Sequence, residues 1–382
     1  MSQSLPQKPP SETTVVVGMS GGVDSSVVAA LLKEQGYQVI GMFMKNWEEK
    51  DANGVCQSSK EFADVVKVCE KLDIPYYSVE FIKEYWDTVF TRFLKEYQEG
   101  FTPNPDILCN REIKFNVFLK KALDLGADFL ATGHYCRNLN STLVKGLDPG
   151  KDQSYFLYTV TNQILEKVLF PIGHLQKSEV REIARKYGLA TAGKKDSTGI
   201  CFIGEKNFKP FLSQYLAIKP GDFRTLDGVT VGRHSGAAFY TLGQRKGLGL
   251  GGEGEAWYVV KKDPSANVVF VERGDRHPAL YTDDLEATEV SWVGERPPLL
   301  FRCQAKVRYR QADQDCTITG FDGDRLKVTF DQPQRAVTCG QSVVFYSGDT
   351  CLGGAVIRST GSTYHELGKA LPQSSALLDL QA

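Results

Sequence analysis

The run Val15-Val16-Val17-Gly18-Met19-Ser20-Gly21-Gly22-Val23-Asp24-Ser25-Ser26 limits what this chain can become more than any other stretch. Three β-branched residues lead into a glycine turn, which opens into Val27-Val28-Ala29-Ala30-Leu31-Leu32. The pattern predicts a buried strand, a tight loop and a buried helix. Gly21 and Gly22 can take positive φ and let a ligand approach the backbone. Ser20, Ser25 and Ser26 supply hydroxyls where the helix begins. A helix start with open N–H groups is an anion site, and backbone nests favour phosphate even without a lysine. The spacing is not GxxxxGK[ST], so this is not a Walker A loop. Asp24 would repel phosphate unless it caps the helix or helps hold a magnesium ion.

Placed directly after a strand, SGGVDS resembles the loop of the N-type ATP pyrophosphatases. Those enzymes split ATP between the α and β phosphates and pass AMP to a carbonyl oxygen. The rest of the composition is compatible with such an enzyme. At 382 residues the chain is too long for one core, so two or three domains are expected. A net charge of −1 gives no global field for nucleic acid, so any RNA must be met by local patches. Nine cysteines with no CxxC pair argue against a disulfide scaffold and a zinc ribbon, and suggest reduced thiols in a cytoplasmic enzyme. Residues 1–12 hold three prolines, one lysine and no apolar run, unlike a secretory or transit segment. No stretch approaches the ~20 apolar residues of a membrane span.

Along the chain, 37–44 reads as a second buried strand after a Gly36 stop, completing a βαβ unit. The segment 58–72 is predicted helical, with Phe62, Val65, Val66 and Cys69 on one stripe, which makes Cys69 a core residue. Strand 75–81, an aromatic-rich helix 84–98, helix 110–125 and strand 128–132 follow. This alternation predicts an open, doubly wound parallel α/β sheet, whose ligands sit at the carboxyl ends of the strands. Ser20, Met44 and Gly133 all fall at such ends. A further helix is expected over 163–189, broken at Phe170-Pro171, capped by Ser178 and stopped by Gly188. Beyond 210 the texture turns β-rich, with strands expected at 225–231, 237–241, 257–261 and 268–272. From 284 to about 358, five or six short alternating strands suggest a compact barrel or sandwich. The expected division is a disordered 1–12, a catalytic α/β domain 13–210, a small β-rich domain 211–283, a C-terminal RNA-binding β-barrel 284–360 and a flexible tail 361–382.

Two cysteines sit in loop-like settings beside cations. Residues 101–115 read FTPNPDILCNREIKF, in which Pro103 and Pro105 stiffen the loop. Asp106 and Cys109 at i and i+3 share a face on one helical turn, near Arg111 and Lys114. Residues 194–202 read KKDSTGICF, placing Cys201 behind Lys194 and Lys195. Both look like basic, partly exposed positions that favour a thiolate. His134 has no second histidine at metal spacing, so no side-chain metal site is assigned.

SGGVDS, GMFMKNW, PNPDILCNREIKF, ATGHY, KDQSYFLY, DSTGICFI, YTLGQRKGLG and VRYRQ occur in this order, and together resemble the tRNA-specific 2-thiouridylases. Enzymes of that family replace the C2 oxygen of the wobble uridine with sulfur. The resemblance implies that AMP transfer activates the C2 oxygen, with ATP and Mg2+ as cofactors. Cys201 would carry a persulfide, and Cys109 would act as nucleophile, leaving a transient Cys109–Cys201 disulfide. Alternatively, Cys109 first frees hydrosulfide, which then attacks. Asp106 would move a proton or orient the base, unless it merely caps a helix. The implied ATP set is Gly18, Met19, Ser20, Gly21, Gly22, Val23, Asp24, Ser25, Met44 and Gly133. The implied tRNA set is Asn104, Pro105, Asp106, Lys151, Asp152, Gln153, Arg308 and Tyr309. A cysteine desulfurase or sulfur-relay protein would donate sulfur to an enzyme expected to be a monomer.

Period-2 spacing places Arg302, Lys306, Arg308 and Arg310 on one face of a single expected strand, a candidate phosphate track. The glycine-rich 242–255, with Arg245 and Lys246, is a candidate RNA-ordered loop. Two other readings fit the loop alone: an amide-forming synthetase, which would not need Cys109 and Cys201, and a nucleotide-sensing RNA-binding module without turnover.

Overall fold

The computed structural model describes residues 8–48, 57–196, 208–216 and 218–372. Val15, Val16 and Val17 are wholly buried in β1 (Thr14–Met19), and the chain turns at Gly21 and Gly22 into α1 (Val23–Glu34). β2 (Gln38–Lys45) pairs parallel to β1, with Val15 opposite Val39. α2 (Gln57–Leu72) and β3 (Tyr76–Glu80) extend the alternation. Cys69 is buried on α2 and its thiol is pushed up to about 11 by burial, so it is core as expected.

The next helical stretch runs through α3 (Ile82–Tyr85), a π turn at Trp86–Phe90 and α4 (Thr91–Gln98). A second begins earlier than its apolar pattern predicts. α5 (Pro105–Leu108) starts on a proline, which needs no N–H in the first turn. It continues through a π segment, Cys109–Phe118, into α6 (Leu119–Asp124). Phe115 leaves helical geometry at φ −100°, ψ 16°. Such π segments occur often at functional sites.

After β4 (Phe129–Ala131) comes a hairpin, β5 (Cys136–Leu139) and β6 (Thr142–Lys145). The expected helix over 163–189 is corrected. Only α7 (Asn162–Leu165) and α8 (Lys177–Lys186) are helical, and between them β7 (Val168–Leu169) pairs parallel with β4. Sheet pairing overrides the local apolar pattern here. Ser178 is not the cap; Gln176 holds that place in a capping box with Glu179. The completed sheet has the order β3-β2-β1-β4-β7, all parallel. The order reverses between β1 and β4, where crevices for ligands open.

α9 (Phe208–Leu212) leads to a four-stranded sheet of β8 (Gly221–Arg224), β9 (Thr230–His234), β10 (Trp257–Asp263) and β11 (Val268–Arg273). Of the strand expected at 225–231, only Thr230 and Val231 are strand, at the start of β9; residues 225–229 are the turn joining β8 to β9. The one expected at 237–241 is a 3-10 turn, Ala237–Phe239. Six antiparallel strands follow: β12 (Tyr281–Trp292), β13 (Phe301–Lys306), β14 (Gln314–Asp322), β15 (Arg325–Arg335), β16 (Ser342–Ser347) and β17 (Thr350–Thr360). β12 pairs with both β15 and β17, which closes them into a barrel. Closure removes exposed edges, and β6 adds itself to β17 from outside. The tail is not loose where it is described: Tyr364 is buried and its hydroxyl donates to Asp283 at 2.8 Å.

Barrel and α/β sheet are fastened by a cluster of ions. Glu289, at φ +53° on a bulge of β12, accepts from Arg92 at 2.8 and 2.5 Å, from Arg358 at 2.7 Å and from Arg111 at 3.3 Å. Arg92 also bonds Glu96 at 3.0 Å. Partial burial pushes the Glu289 carboxyl up, but Arg92 and Arg111 outweigh it and hold it at about 2. Its folded pKa therefore lies below the ordinary 4.5, so its stabilisation is complete above that value and fades as pH falls toward 2. Glu289→Gln is expected to cost about 2 kcal/mol at pH 7, leaving three guanidinium groups short of charge. In urea unfolding the gap between variant and parent should hold from pH 7 to 5 and narrow below. A gap that is constant with pH would contradict the assignment.

Candidate active site

The loop after β1 is held by its own hydroxyls. Ser25 Oγ accepts from Ser20 N at 3.2 Å and lies 3.2 Å from Ser20 Oγ. Ser26 Oγ donates to Gly22 O at 2.8 Å. Gly21 has φ +71°, and a Cβ there would stand 2.6 Å from the Glu61 carbonyl oxygen. Side chains are excluded by both conformation and space. No side chain caps α1, whose first turn opens toward the loop. At the end of β4, a Cβ on Gly133 would meet Ser25 N at 3.0 Å. Met44 is half-buried near the end of β2, opposite Val79. Parallel pairing thus brings Ser20, Met44 and Gly133 to one edge of the sheet.

Asp24 neither caps α1 nor stands alone. Its Oδ1 accepts from the Tyr135 hydroxyl at 2.7 Å, and Lys177 Nζ reaches both oxygens at 2.7 and 2.8 Å. Lys177 also pairs with Asp196 at 3.0 Å. Asp196 gathers Arg181 at 2.7 Å and Lys151 at 2.6 Å as well. Partial burial raises its carboxyl, but Lys151 and Lys177 pull it down to about 2. Lys194 Nζ bonds Gly21 O at 2.9 Å and Asp64 at 3.0 Å. The chain at 194–196 is therefore tied to the loop from two sides. Tyr135, Lys177, Arg181 and Asp196 were not singled out as site residues by sequence reasoning. Tyr135 stood in the ATGHY motif and Asp196 in DSTGICFI, but their partners are distant in sequence.

Asn104 caps α5, its Oδ1 accepting from Asp106 N at 3.2 Å and Ile107 N at 3.4 Å. Capping therefore does not need the Asp106 carboxylate. Pro105 is buried at the first helical position. Cys109 follows one turn after Asp106 but is only 1% exposed, which corrects the expectation of a partly exposed thiol. Arg111 bonds Glu112 at 2.6 Å and Glu289 at 3.3 Å. Cys201 lies outside the described residues, as does Cys56. Cys136 is buried, and burial pushes its thiol well up, so it is a packing residue. His134 is buried too, and burial together with the Lys114 charge keeps it neutral. Its Nδ1 lies 2.8 Å from Thr132 Oγ1. Among the described residues no cluster of His, Cys, Asp and Glu could hold a metal.

In the segment 151–153 only Asp152 turns fully inward, between half-buried Lys151 and Gln153. Asp152 is buried and accepts from Gly146 N at 3.0 Å and Ser154 Oγ at 2.9 Å. Gln153 Oε1 accepts from Tyr135 N at 3.0 Å. The four-cation ridge is corrected, because β13 ends at Lys306 and the chain turns at 308–310. Arg302 is paired with Asp331, and Lys306 lies 3.7 Å from Asp313. Arg308 donates to the carbonyl oxygens of Leu242 at 3.1 Å and Ala336 at 2.7 Å, so it anchors the glycine-rich loop to the barrel. Tyr309 packs on Phe156 with ring centroids 4.4 Å apart. Phe156 O in turn accepts from Asn110 Nδ2 at 3.0 Å, which links this aromatic pair to the cysteine helix.

Three domain families match in chain order. Residues 13–205 match the tRNA methyl transferase HUP domain, 209–273 the tRNA methyl transferase PRC-barrel domain, and 282–357 the aminomethyltransferase beta-barrel domain. The chain is 64% identical over 369 residues to the tRNA-specific 2-thiouridylase MnmA of Protochlamydia amoebophila (strain UWE25), covering 95% of this chain and 98% of that protein. It is 58% identical to the protein of the same name from Exiguobacterium sibiricum, covering 92% and 95% respectively. Among solved structures, the U34-tRNA thiolase NcsA from Methanococcus maripaludis aligns at 21% identity and a TM-score of 0.36, over 54% of this chain and 65% of that one. The chain belongs to the tRNA-specific 2-thiouridylase family.

Proposed function

We propose that this protein thiolates the wobble uridine of tRNA at C2, at the expense of ATP. One observation carries the reading most: the chain five residues before Cys201 is tied, through Asp196 and Lys177, to Asp24 on the glycine loop. Five residues span at most about 17 Å. A nucleotide held by that loop and a thiol at 201 are thereby kept within reach of one substrate. The methyl-transfer wording of the domain families asks for neither a pyrophosphatase-type loop nor two thiols in these motifs.

The loop suits the phosphates of a nucleotide. Gly21 and Gly133 leave room that a Cβ would fill, and the first turn of α1 supplies N–H groups. Gly18, Met19, Ser20, Gly22, Val23 and Ser25 complete the cradle, with Met44 and Gly133 beside adenine and ribose. Asp24 would hold Mg2+, and Lys177, whose charge Asp24 now balances, is the cation placed to pair with phosphate. Bound ATP supplies AMP, which turns the C2 oxygen into a leaving group. Asp106 lies one turn from Cys109 and positions the base or takes its proton. The terminal sulfur of a Cys201 persulfide adds at C2 and expels AMP. Cys109 then attacks the inner sulfur, its electron pair forming the Cys109–Cys201 disulfide while the outer sulfur stays on C2. A thiol reductant restores both cysteines for the next turnover. If hydrosulfide is freed first, the same disulfide forms before attack.

Within this reading, Asn104 and Asp106 face the target base with buried Pro105 stiffening their turn, and Lys151 and Gln153 meet the neighbouring tRNA with buried Asp152 holding the turn between them. The 308–309 turn adds Tyr309 as an aromatic surface. The wobble base must leave its stack to reach a buried thiol. The α/β unit would do the chemistry, and the middle sheet and barrel would hold RNA. Sulfur would come from a cysteine desulfurase or relay protein in the cytoplasm, with the enzyme acting as a monomer. Among the described residues no helix is long and apolar enough to cross a membrane.

Incubating the protein with unmodified tRNA, ATP, Mg2+ and a sulfur source should yield 2-thiouridine by nucleoside mass spectrometry, and none without ATP. Methylated uridine with no thiolated product would overturn the reading. Cys109→Ser and Cys201→Ser should each lower thiolation at least ~100-fold while tRNA-dependent AMP release continues. An amide-forming synthetase would keep its activity in both variants, and a mere nucleotide sensor would release no AMP in any of them.

A further inference from the structure

The turn that ends β13 is joined to the glycine-rich loop of the middle sheet. Arg308 donates to Leu242 O at 3.1 Å, and a Cβ on Gly243 would stand 2.8 Å from Ala336 Cβ of the barrel. The far arm of the loop is pinned as well. Trp257 Nε1 donates to Gly251 O at 3.0 Å, and Arg273 donates to Glu255 O at 2.6 Å. Leu248 is buried in the core of the middle sheet. The loop is therefore a fixed platform, and between its arms lies a cleft of about 280 Å3 lined by Arg245, Trp257, Arg273 and glycine backbone. Arg245 and Lys246 stand exposed on the near arm, and Arg310 stands exposed two residues beyond Arg308. None of these three has an ion-pair partner among the described residues. Neighbouring barrel cations behave otherwise: Arg302 is paired with Asp331, and Lys145 and Lys306 share Asp313. The loop's acidic residues, Glu253 and Glu255, lie on the far arm, where the Arg273 guanidinium sits against Gly252 and Gly254 and offsets them.

We propose that Arg245, Lys246 and Arg310 form one strip that takes the phosphodiester backbone of tRNA, flanking the base presented to Cys109. The inference rests on the thiolation reading above and adds to it a contact surface on the middle sheet. Its placement follows from a chain of contacts. Asn110, next to Cys109, bonds Phe156 O at 3.0 Å, and Phe156 packs on Tyr309, which precedes Arg310. Arg308 holds Leu242, three residues before Arg245. The strip thus runs outward from the cysteine helix and crosses from the barrel to the middle sheet. Cations gathered without counter-charges repel one another, and a polyanion removes that cost. Neutralised phosphates also release their counterions, which makes such binding salt-dependent. Because the loop is already pinned at both arms, little ordering is left to oppose the contact. Phosphate contacts set position and carry no sequence information. The choice of base stays with the site around Asp106 and Cys109.

Arg245→Gln combined with Lys246→Gln, and Arg310→Gln alone, remove charge from exposed positions. Binding of unmodified tRNA is then measured across a range of salt concentrations. The slope of log affinity against log salt should become shallower by about 1.5 in the double variant and by about 0.8 in the single one. Affinity at low salt should drop roughly 10-fold in the double variant. The KM for tRNA in thiolation should rise with it, while kcat at saturating tRNA stays within about 2-fold and the KM for ATP does not move. Arg245→Lys should keep the parent slope. Lys120→Gln combined with Lys121→Gln, an exposed pair on α6, serves as the control and should leave the slope unchanged. A parent-like slope in the Arg245 and Lys246 double variant, or an equal change in the control, would overturn the proposal. So would a defect seen only when a protein delivers the sulfur, with tRNA binding intact, which would assign the strip to an acidic protein partner. Failure of the thiolation reading shows separately: the parent would make no 2-thiouridine, whereas the binding slopes are read without turnover.

Discussion

Everything in this molecule follows from parallel pairing at the centre of one sheet. β1 is flanked by β2 and β4, and its three valines have no exposed surface. Burial on both faces requires helices above and below, and parallel neighbours require each crossover to return to the same starting edge. All carboxyl-end loops therefore emerge together. The glycine loop, the end of β2 and Gly133 become neighbours without any residue among them having to attract another. The strand order reverses beside β1, so the crevice opens at the loop with the most backbone donors.

Onto that edge the rest of the chain is tied by charge as well as by apolar packing. Asp24, Lys177, Asp196, Lys151 and Arg181 form one alternating network, and Lys194 closes it against Gly21. A second network, centred on Glu289, joins the barrel to the helices around Cys109 through Arg92, Arg111 and Arg358. Arg111 stands two residues from Cys109, so the barrel is fastened close to the thiol. Gly340 adds a close approach: a Cβ there would stand 2.9 Å from Thr102 N. Thr102 N in turn donates to Cys339 O at 2.9 Å. The loop before the cysteine helix is thus part of the barrel's contact surface. Ionic ties of this kind can exchange partners without repacking a core, which suits a site where phosphate charge arrives and leaves.

The legible parts were those with local causes. Glycine spacing announced the loop, Pro103 and Pro105 announced a stiff lead into a helix, and apolar alternation announced the barrel strands. What escaped had causes elsewhere in the chain. The β5–β6 hairpin turns at Asn140 and Ser141, at φ +51° and +59°, a pair lacking the glycine that usually marks such turns. β7 was hidden inside a helical pattern because its strand character comes from β4 beside it. The cation ridge rested on extending period 2 past Lys306, whereas Arg308 is drawn inward by two carbonyl oxygens. Burial of Cys109 was invisible because it comes from packing with apolar residues distant in sequence, not from its neighbours along the chain. Lys177 and Asp196 left no spacing to read, because their bond spans a helix and a loop.

Convergence of the two thiols on one substrate is the central claim, and it leaves a covalent trace. A single turnover with persulfide-loaded protein, ATP and tRNA, without reductant, followed by non-reducing peptide mapping, reads that trace directly. The expected result is a disulfide joining Cys109 to Cys201, formed in step with 2-thiouridine. Thiolated tRNA accompanied by free Cys109 and Cys201, or by a disulfide that links neither, would contradict it.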